Sequence, residues 1–442
     1  MKYGGHIKQY LYSTSMQFAS GSEDMMELFI RQFPTLISRE PSHTERRKEN
    51  AVLLGLYRDV RTAEERGNAS WRTGHVKKKV EQTTNIKSIS GLSLMSSTYV
   101  PKDIRTYVEE HLVGTVSYGM LIGEREVTIV FMLLSQDSFN KLGSLESYAR
   151  EMFVWLDIVG SYASSKCSQT LNIYCALTPF EKALPPSQCN IIGPWNCNTA
   201  VTTSCQRAGE ILIYRKEELF KVFIHETFHV FGLDFSAHSN EQLNRKLRLL
   251  FPIKTDYNAF EAYAEFWAEI INCVFCSYKL LSDKTNKNKF LTYCHFCIHF
   301  EQIFSMFQMA KVLDFMGIDY TSLYAEGEPH VATRKYLYKE RSNVFAYYII
   351  KALLMYYSAD FMVWCKLNNS NILRFSKGVT DRFLTFIVDH YVRHDFVKDQ
   401  TRVREFLHDL QKKRPTTKYK TILRSMRMSI CGLVPQNGIG EN

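Results

Sequence analysis

The sequence predicts an α+β protein in which a small mixed sheet is followed by a large helical C-terminal part. Three observations support this. TVSYGMLIGEREVTIVFMLL holds two β-rich runs around Gly123–Glu124, which read as a hairpin. An amphipathic helix, SLESYAREMFVWLDIVGSYA, and two further strands, LNIYCALTP and GEILIYR, follow it, the order of a mixed sheet with a helix against it. From residue 216 to about residue 412 nearly every strong pattern has helical period.

The 442 residues suffice for two or three domains. Residues 1–100 read as a partly flexible accessory region, 101–325 as the core domain, 326–414 as a helical subdomain and 415–442 as a basic tail. Lys and Arg number 55 against 45 acids, a net charge of +10. The excess lies at the two ends: residues 38–79 carry +5 and residues 411–442 carry +6, so the rest of the chain is nearly neutral. That pattern argues against a protein whose whole surface reads nucleic acid, and it leaves weak contacts to nucleic acid or an anionic surface to the basic ends.

Eleven cysteines are too few for a disulfide scaffold of this length. MKYGGHIKQYLYSTSM lacks the apolar core of a secretory signal. The most membrane-like stretch, Val344 to Cys365, is interrupted by Lys351 and Asp360 and reads as a buried helix rather than a membrane span. These signs point to a soluble chain in the reducing cytoplasm, although unconventional export leaves no mark in a sequence.

The chemistry concentrates in EELFKVFIHETFHVFGLDF, residues 217–235, where His225, Glu226 and His229 form H-E-x-x-H. Positions i and i+4 stand one above the other on a helix, so two imidazoles can share one metal ion. The intervening carboxylate can reach a metal-bound water and act as general base. Glu217 and Glu218 suit a helix N-terminus, and Gly232 suits a C-terminal cap with positive φ. The residues between are apolar all round, so this helix is buried and its polar groups need compensation, which a zinc ion supplies.

A catalytic zinc needs a third ligand and an open position. The spacing H-x-x-E-x-x-H-x-x-G-x-x-H would place that ligand at 235, which is Phe235; Asp234 misses by one position and His238 by three. Downstream, DYNAFEAYAEFWAEIINCVFC (256–276) carries Glu261, Glu265 and Glu269 every four residues on an otherwise apolar helix. Alone, such a stripe is best read as a narrow solvated face. After a buried zinc-type helix, it reads as facing the metal.

Here the sequence resembles the gluzincin branch of zinc metallopeptidases. HETFHVFGLD matches the first helix, and AEFWAE is similar to the second helix of catalytic domains like that of anthrax lethal factor. The resemblance covers about residues 211–276. It implies a zincin-like core and a zinc-dependent endopeptidase acting on a protein or peptide substrate. In that pattern Glu265 is the third ligand beside His225 and His229, Glu269 orients a ligand histidine, and Glu261 is the reserve ligand. The resemblance also implies an edge strand that binds extended substrate, here GEILIYR or NTAVTTS, and a tyrosine for the oxyanion, with Tyr257 and Tyr263 the nearby options. Tyr347, Tyr348, Tyr356 and Tyr357 read as core residues.

Cys273, Cys276, Cys294 and Cys297 form C-x₂-C, seventeen intervening residues, then C-x₂-C, a zinc-ribbon spacing. Their surroundings are apolar and helical, and SDKTNKNK (282–289) reads as the turn of a helical hairpin. Packed free thiols lead, ahead of a structural metal and of disulfides. The remaining loop cysteines show no ligand pattern. Two other functions stay open: an inactive zincin fold used for binding, and a nucleic-acid-associated protein with a four-cysteine zinc and basic tails.

Overall fold

The computed structural model describes residues 16–37, 42–412 and 417–435; the basic run across 413–416 and both extreme ends of the chain lie outside the described residues. The fold is α+β, with a small mixed sheet and a large helical part. β1 (Met16–Phe18) pairs antiparallel with β8 (Leu433–Pro435), joining the two ends of the described chain. The main sheet has the order β2-β3-β4-β5-β7-β6, comprising β2 (Lys77–Gln82), β3 (Gly114–Ile122), β4 (Arg125–Leu133), β5 (Thr170–Thr178), β6 (Ala200–Thr202) and β7 (Ala208–Arg215). β4, β5 and β7 run parallel, whereas β2 and β6 at the two edges pair antiparallel to their neighbours.

The helices packed against the sheet or against one another include α1 (His43–Arg72), α2 (Leu142–Tyr162), α3 (Leu219–Val230), α4 (Ala259–Lys279) and α5 (Lys287–Phe315). Alternate strand residues face opposite sides of the sheet. Val127, Ile129, Phe131, Ile173, Ile211 and Ile213 belong to the large core that also contains α2 and α3. Val130, Met132, Tyr174, Leu212 and Tyr214 face the other way, against Ile104 and Val108 of the helix Lys102–His111. Burial on both faces explains why these strands read as nearly continuous apolar runs.

The hairpin at Gly123, the helix at 142–162 and the turn between α4 and α5 follow the sequence patterns. The two ends do not. The three lysines that end RTGHVKKK open β2, whose side chains are all exposed; lysines along an edge strand discourage pairing with another chain. The expected loose tail is equally different. Met426, Met428, Ile430 and Cys431 are buried, and they belong to the same core as Phe18 and the central helices.

Polar side chains hold this C-terminal segment from within. The amides of Met428 (3.0 Å) and Ser429 (2.7 Å) donate to Glu218, Tyr348 donates to the Met426 carbonyl (2.7 Å), and Asn272 donates to the Cys431 carbonyl (2.8 Å). Val344–Cys365 is interior, as expected, though it is broken into a π-helical segment, Phe345–Ile350, and two α-helices. Among the described residues no helix is long and apolar enough to cross a membrane.

α3 is fixed laterally by one buried polar contact. The Trp155 indole on α2 donates to Thr227 Oγ1 at 2.8 Å, and both residues are fully buried. Thr227→Val keeps the shape but strands the indole N–H, so it should destabilise the fold by about 1–3 kcal/mol, measured as a lowered midpoint of denaturant unfolding.

Candidate metal centre

α3 carries the H-E-x-x-H residues, and both its ends are closed by local geometry. Glu218 begins the helix in a left-handed conformation (φ +57°). Its carboxylate is ion-paired with Lys182 and bonded by the two C-terminal amides; burial opposes its charge, but Lys182, Lys221 and Arg427 together hold it at about 2. At the other end the amide of Gly232 reaches the His229 carbonyl (3.1 Å) and that of Leu233 reaches Phe228 (2.8 Å), the paired bonds of a Schellman turn. Gly232 adopts φ +63°, and a Cβ there would meet Cys205 Cβ at 3.2 Å and Cys167 Sγ at 3.3 Å.

That turn swings Asp234 back beneath its own helix. Asp234 Oδ2 lies 2.5 Å from His229 Nδ1, and Asp234 Oδ1 accepts from Ser236 Oγ at 2.8 Å. On the opposite edge of the rings, His229 Nε2 and His225 Nε2 are 3.1 Å apart, and Glu261 Oε2 is 3.3 Å and 3.2 Å from them. His225 Nδ1 has Glu265 Oε2 at 2.9 Å, at ion-pair distance but off the ring N–H direction, so Nδ1 is left without a hydrogen bond.

The roles of the two glutamates are therefore interchanged relative to the family pattern. Glu261 meets both Nε2 atoms, whereas Glu265 sits behind His225 and is ion-paired with Lys221. The reason is the register of the two helices. His229 meets Glu261, and Lys221, two turns earlier on α3, meets Glu265 one turn later on α4, so α3 and α4 run past each other in opposite directions and Lys221 takes the carboxylate that the pattern assigns to the metal. Glu269 lies one turn deeper, paired with Lys351 (2.6 Å) and remote from either imidazole's bonding set.

Both proposed oxyanion tyrosines point elsewhere. Tyr257 donates to the carbonyls of Phe251 (2.5 Å) and Ile253 (2.6 Å), and Tyr263 donates to that of Leu373 (2.9 Å). The cleft instead receives Tyr347, whose hydroxyl donates to Glu261 Oε2 (3.0 Å), and Asn343, whose amide donates to Glu261 Oε1 (3.1 Å). Helical spacing made Tyr347 look like core, and its distance of over a hundred residues from the motif hid its role. It lies in the π-helical segment, where an extra residue in the turn re-aims side chains.

Asp234 and Lys221 were also missed. The first could have been read from the glycine-capped turn that returns the chain to His229, and the second from its position one turn before His225.

The cleft over these groups has a volume of about 730 Å³ and is lined by Ala200, Val201 and Thr202 of edge strand β6 as well as by Glu226. No ion pair engages Glu226 among the described residues, and burial pushes its carboxyl up. Burial works against protonation of His225, but Glu261 and Glu265 outweigh it and hold the imidazole at about 9. His229 is raised by Glu261 and Asp234 in the same way, and the histidines in turn hold Glu261 well below the carboxylate range.

The donor set suits a divalent cation. With its Nδ1 proton directed at Asp234, neutral His229 presents a bare lone pair at Nε2, toward His225 Nε2 and a carboxylate oxygen. Such an arrangement requires a proton or a metal between the atoms.

The four helical cysteines behave differently from a ribbon. All are buried free thiols with no disulfide among them, and among the described residues they do not converge on one point. The disulfide that does form joins Cys167 to Cys205, two loop cysteines without a ligand pattern.

Two outcomes follow for metal binding. Asp234→Ala should weaken zinc affinity 10–100-fold in a chelator competition, because the His229 ring loses its orienting acceptor. Since the metal-free His225 keeps its proton up to about pH 9, binding at neutral pH must expel a proton. Affinity should rise with pH toward 9, and the calorimetric enthalpy should vary with the ionisation heat of the buffer. Compared with known proteins, the chain matches no family model, no curated protein and no solved structure.

Proposed function

We propose that the protein is a zinc-dependent endopeptidase whose metal is held by His225, His229 and Glu261. The observation that carries this reading is the convergence of two imidazole Nε2 atoms and one carboxylate oxygen, each within 3.3 Å of the others, at the floor of an open cleft. Bound zinc supplies Lewis acidity and lowers the pKa of a bound water. The rest is work for this chain's own side chains.

Glu226 borders the cleft one residue after the first histidine. A carboxyl raised by burial is suited to taking a proton from water and returning it to a leaving amine near neutral pH. Tyr347 carries the hydroxyl donor nearest the three converging atoms, and in this reading it turns from Glu261 to the developing oxyanion. Asn343 then keeps Glu261 in place. β6 is an antiparallel edge with its outer side on the cleft, so an extended peptide can add to it by main-chain hydrogen bonds. The Cys167–Cys205 disulfide supports action in an oxidising compartment rather than in the reducing cytoplasm that the cysteine pattern suggested.

The test is metal analysis combined with cleavage of a peptide library. Wild type should contain zinc and lose cleavage on chelation. Glu226→Gln should retain zinc and lose roughly 10²–10⁴-fold in turnover, and Tyr347→Phe should lower turnover more than it changes KM. Metal-free wild-type protein, or cleavage indifferent to chelators, would overturn the assignment.

A further inference from the structure

A second set of metal-ligating side chains lies inside the helical part, away from the cleft. Cys273 comes from α4, Glu301 from α5 and Cys431 from the C-terminal segment, and one ligand atom of each lies within 4.8 Å of the other two. Cys297 stands one turn before Glu301 on α5, but its carbonyl accepts from the Cys431 thiol (3.8 Å) and its own sulfur accepts from Ser277 Oγ (3.8 Å), so it lies outside this group. The group is two sulfurs and a carboxylate, contributed by three separate elements and none more than 4% exposed.

The carboxylate distinguishes this group from ordinary packed thiols. Glu301 is fully buried, and among the described residues no Lys, Arg or His lies within ion-pair distance of it. The nearest buried cation, Lys351, is engaged by Glu269 (2.6 Å) and Ser305 (3.0 Å). Glu301 Oε1 accepts from Ser429 Oγ (2.5 Å) and from the amides of Ile430 (3.1 Å) and Cys431 (2.8 Å); Oε2 accepts from the Ile430 amide (3.0 Å). Three donors orient the carboxyl group, and among the described residues no cationic side chain is paired with it. Two thiols beside it form a soft donor set, which with a carboxylate oxygen suits zinc rather than calcium or magnesium.

We propose that Cys273, Cys431 and Glu301 form a structural zinc site that staples the C-terminal segment to α4 and α5. Each ligating thiol releases its proton to solvent as the metal enters, so no oxidant is required. The staple bears on the cleft because Met428, three residues before Cys431, lines it, and the Met428 and Ser429 amides bind Glu218 at the start of α3.

The experiment refills the full-length chain with Co²⁺ and reads thiolate-to-cobalt charge transfer in the near ultraviolet, alongside metal content. Wild type should show the band. His229→Ala should keep it while losing the cleft metal, since the cleft donors are nitrogen and oxygen only. Cys431→Ser should lose the band and one equivalent of metal while retaining chelator-sensitive metal at the cleft. If Cys431→Ser does not fold, Cys273→Ala and the wild-type spectrum decide. No thiolate band in cobalt-loaded wild type, or a band unchanged by both cysteine substitutions, would overturn the proposal whatever the fate of the peptidase reading.

Discussion

The structure depends on two buried helices balancing each other's charges. α3 presents Lys221, His225 and His229 at successive turns, and α4 presents Glu261, Glu265 and Glu269 in the same way. Lys221 meets Glu265, His229 meets Glu261, His225 lies between the two carboxylates, and Glu269 is left to Lys351. None of these groups is tolerable alone in an apolar interior, because an unpaired buried charge is worth several kcal/mol against folding. The helices must dock in one register, and a slip of one turn would leave Lys221 or His229 without its partner. The same constraint that fixes the packing gathers the donor atoms beneath the cleft.

The surrounding elements make sense as supports for α3. Trp155 of α2 bonds Thr227, the glycine-capped turn returns Asp234 to His229, and the Cys167–Cys205 disulfide packs on Gly232. At its start, Glu218 is gripped by Lys182 and by amides some two hundred residues later in the chain. The C-terminal segment is thus part of the core. Its carbonyls and amides meet Tyr348, Lys351, Asn272 and Glu301, so segment and helices satisfy one another's buried polar groups.

Much of this was legible in the residues. Period-two and helical patterns located the hairpin, the strands LNIYCALTP and GEILIYR and the long helices, because burial on one or two faces leaves its periodicity in sequence. The i, i+4 spacing of His225 and His229 announced two imidazoles on one helix face, and Gly232 announced the positive φ that ends the helix. The glutamate stripe on α4 was legible as a stripe. Which of its members faces the imidazoles was not, since that depends on the direction and register of α3 against α4 and on Lys221 claiming Glu265 first.

Long-range placement escaped the sequence for the same reason. Tyr347 reaches Glu261 from a π-helical turn with no compositional mark, Asn343 reaches it from the bend just before that turn, and Cys431 reaches Cys273 across more than 150 residues. A run of lysines looks alike in a solvated tail and on an edge strand, so RTGHVKKK gave no sign of β2. By itself the sequence determined what can lie on one face of one helix or strand, since covalent geometry sets those spacings. Tertiary structure alone decided which faces meet, because that choice rests on shape and on the mutual neutralisation of buried charges from distant parts of the chain.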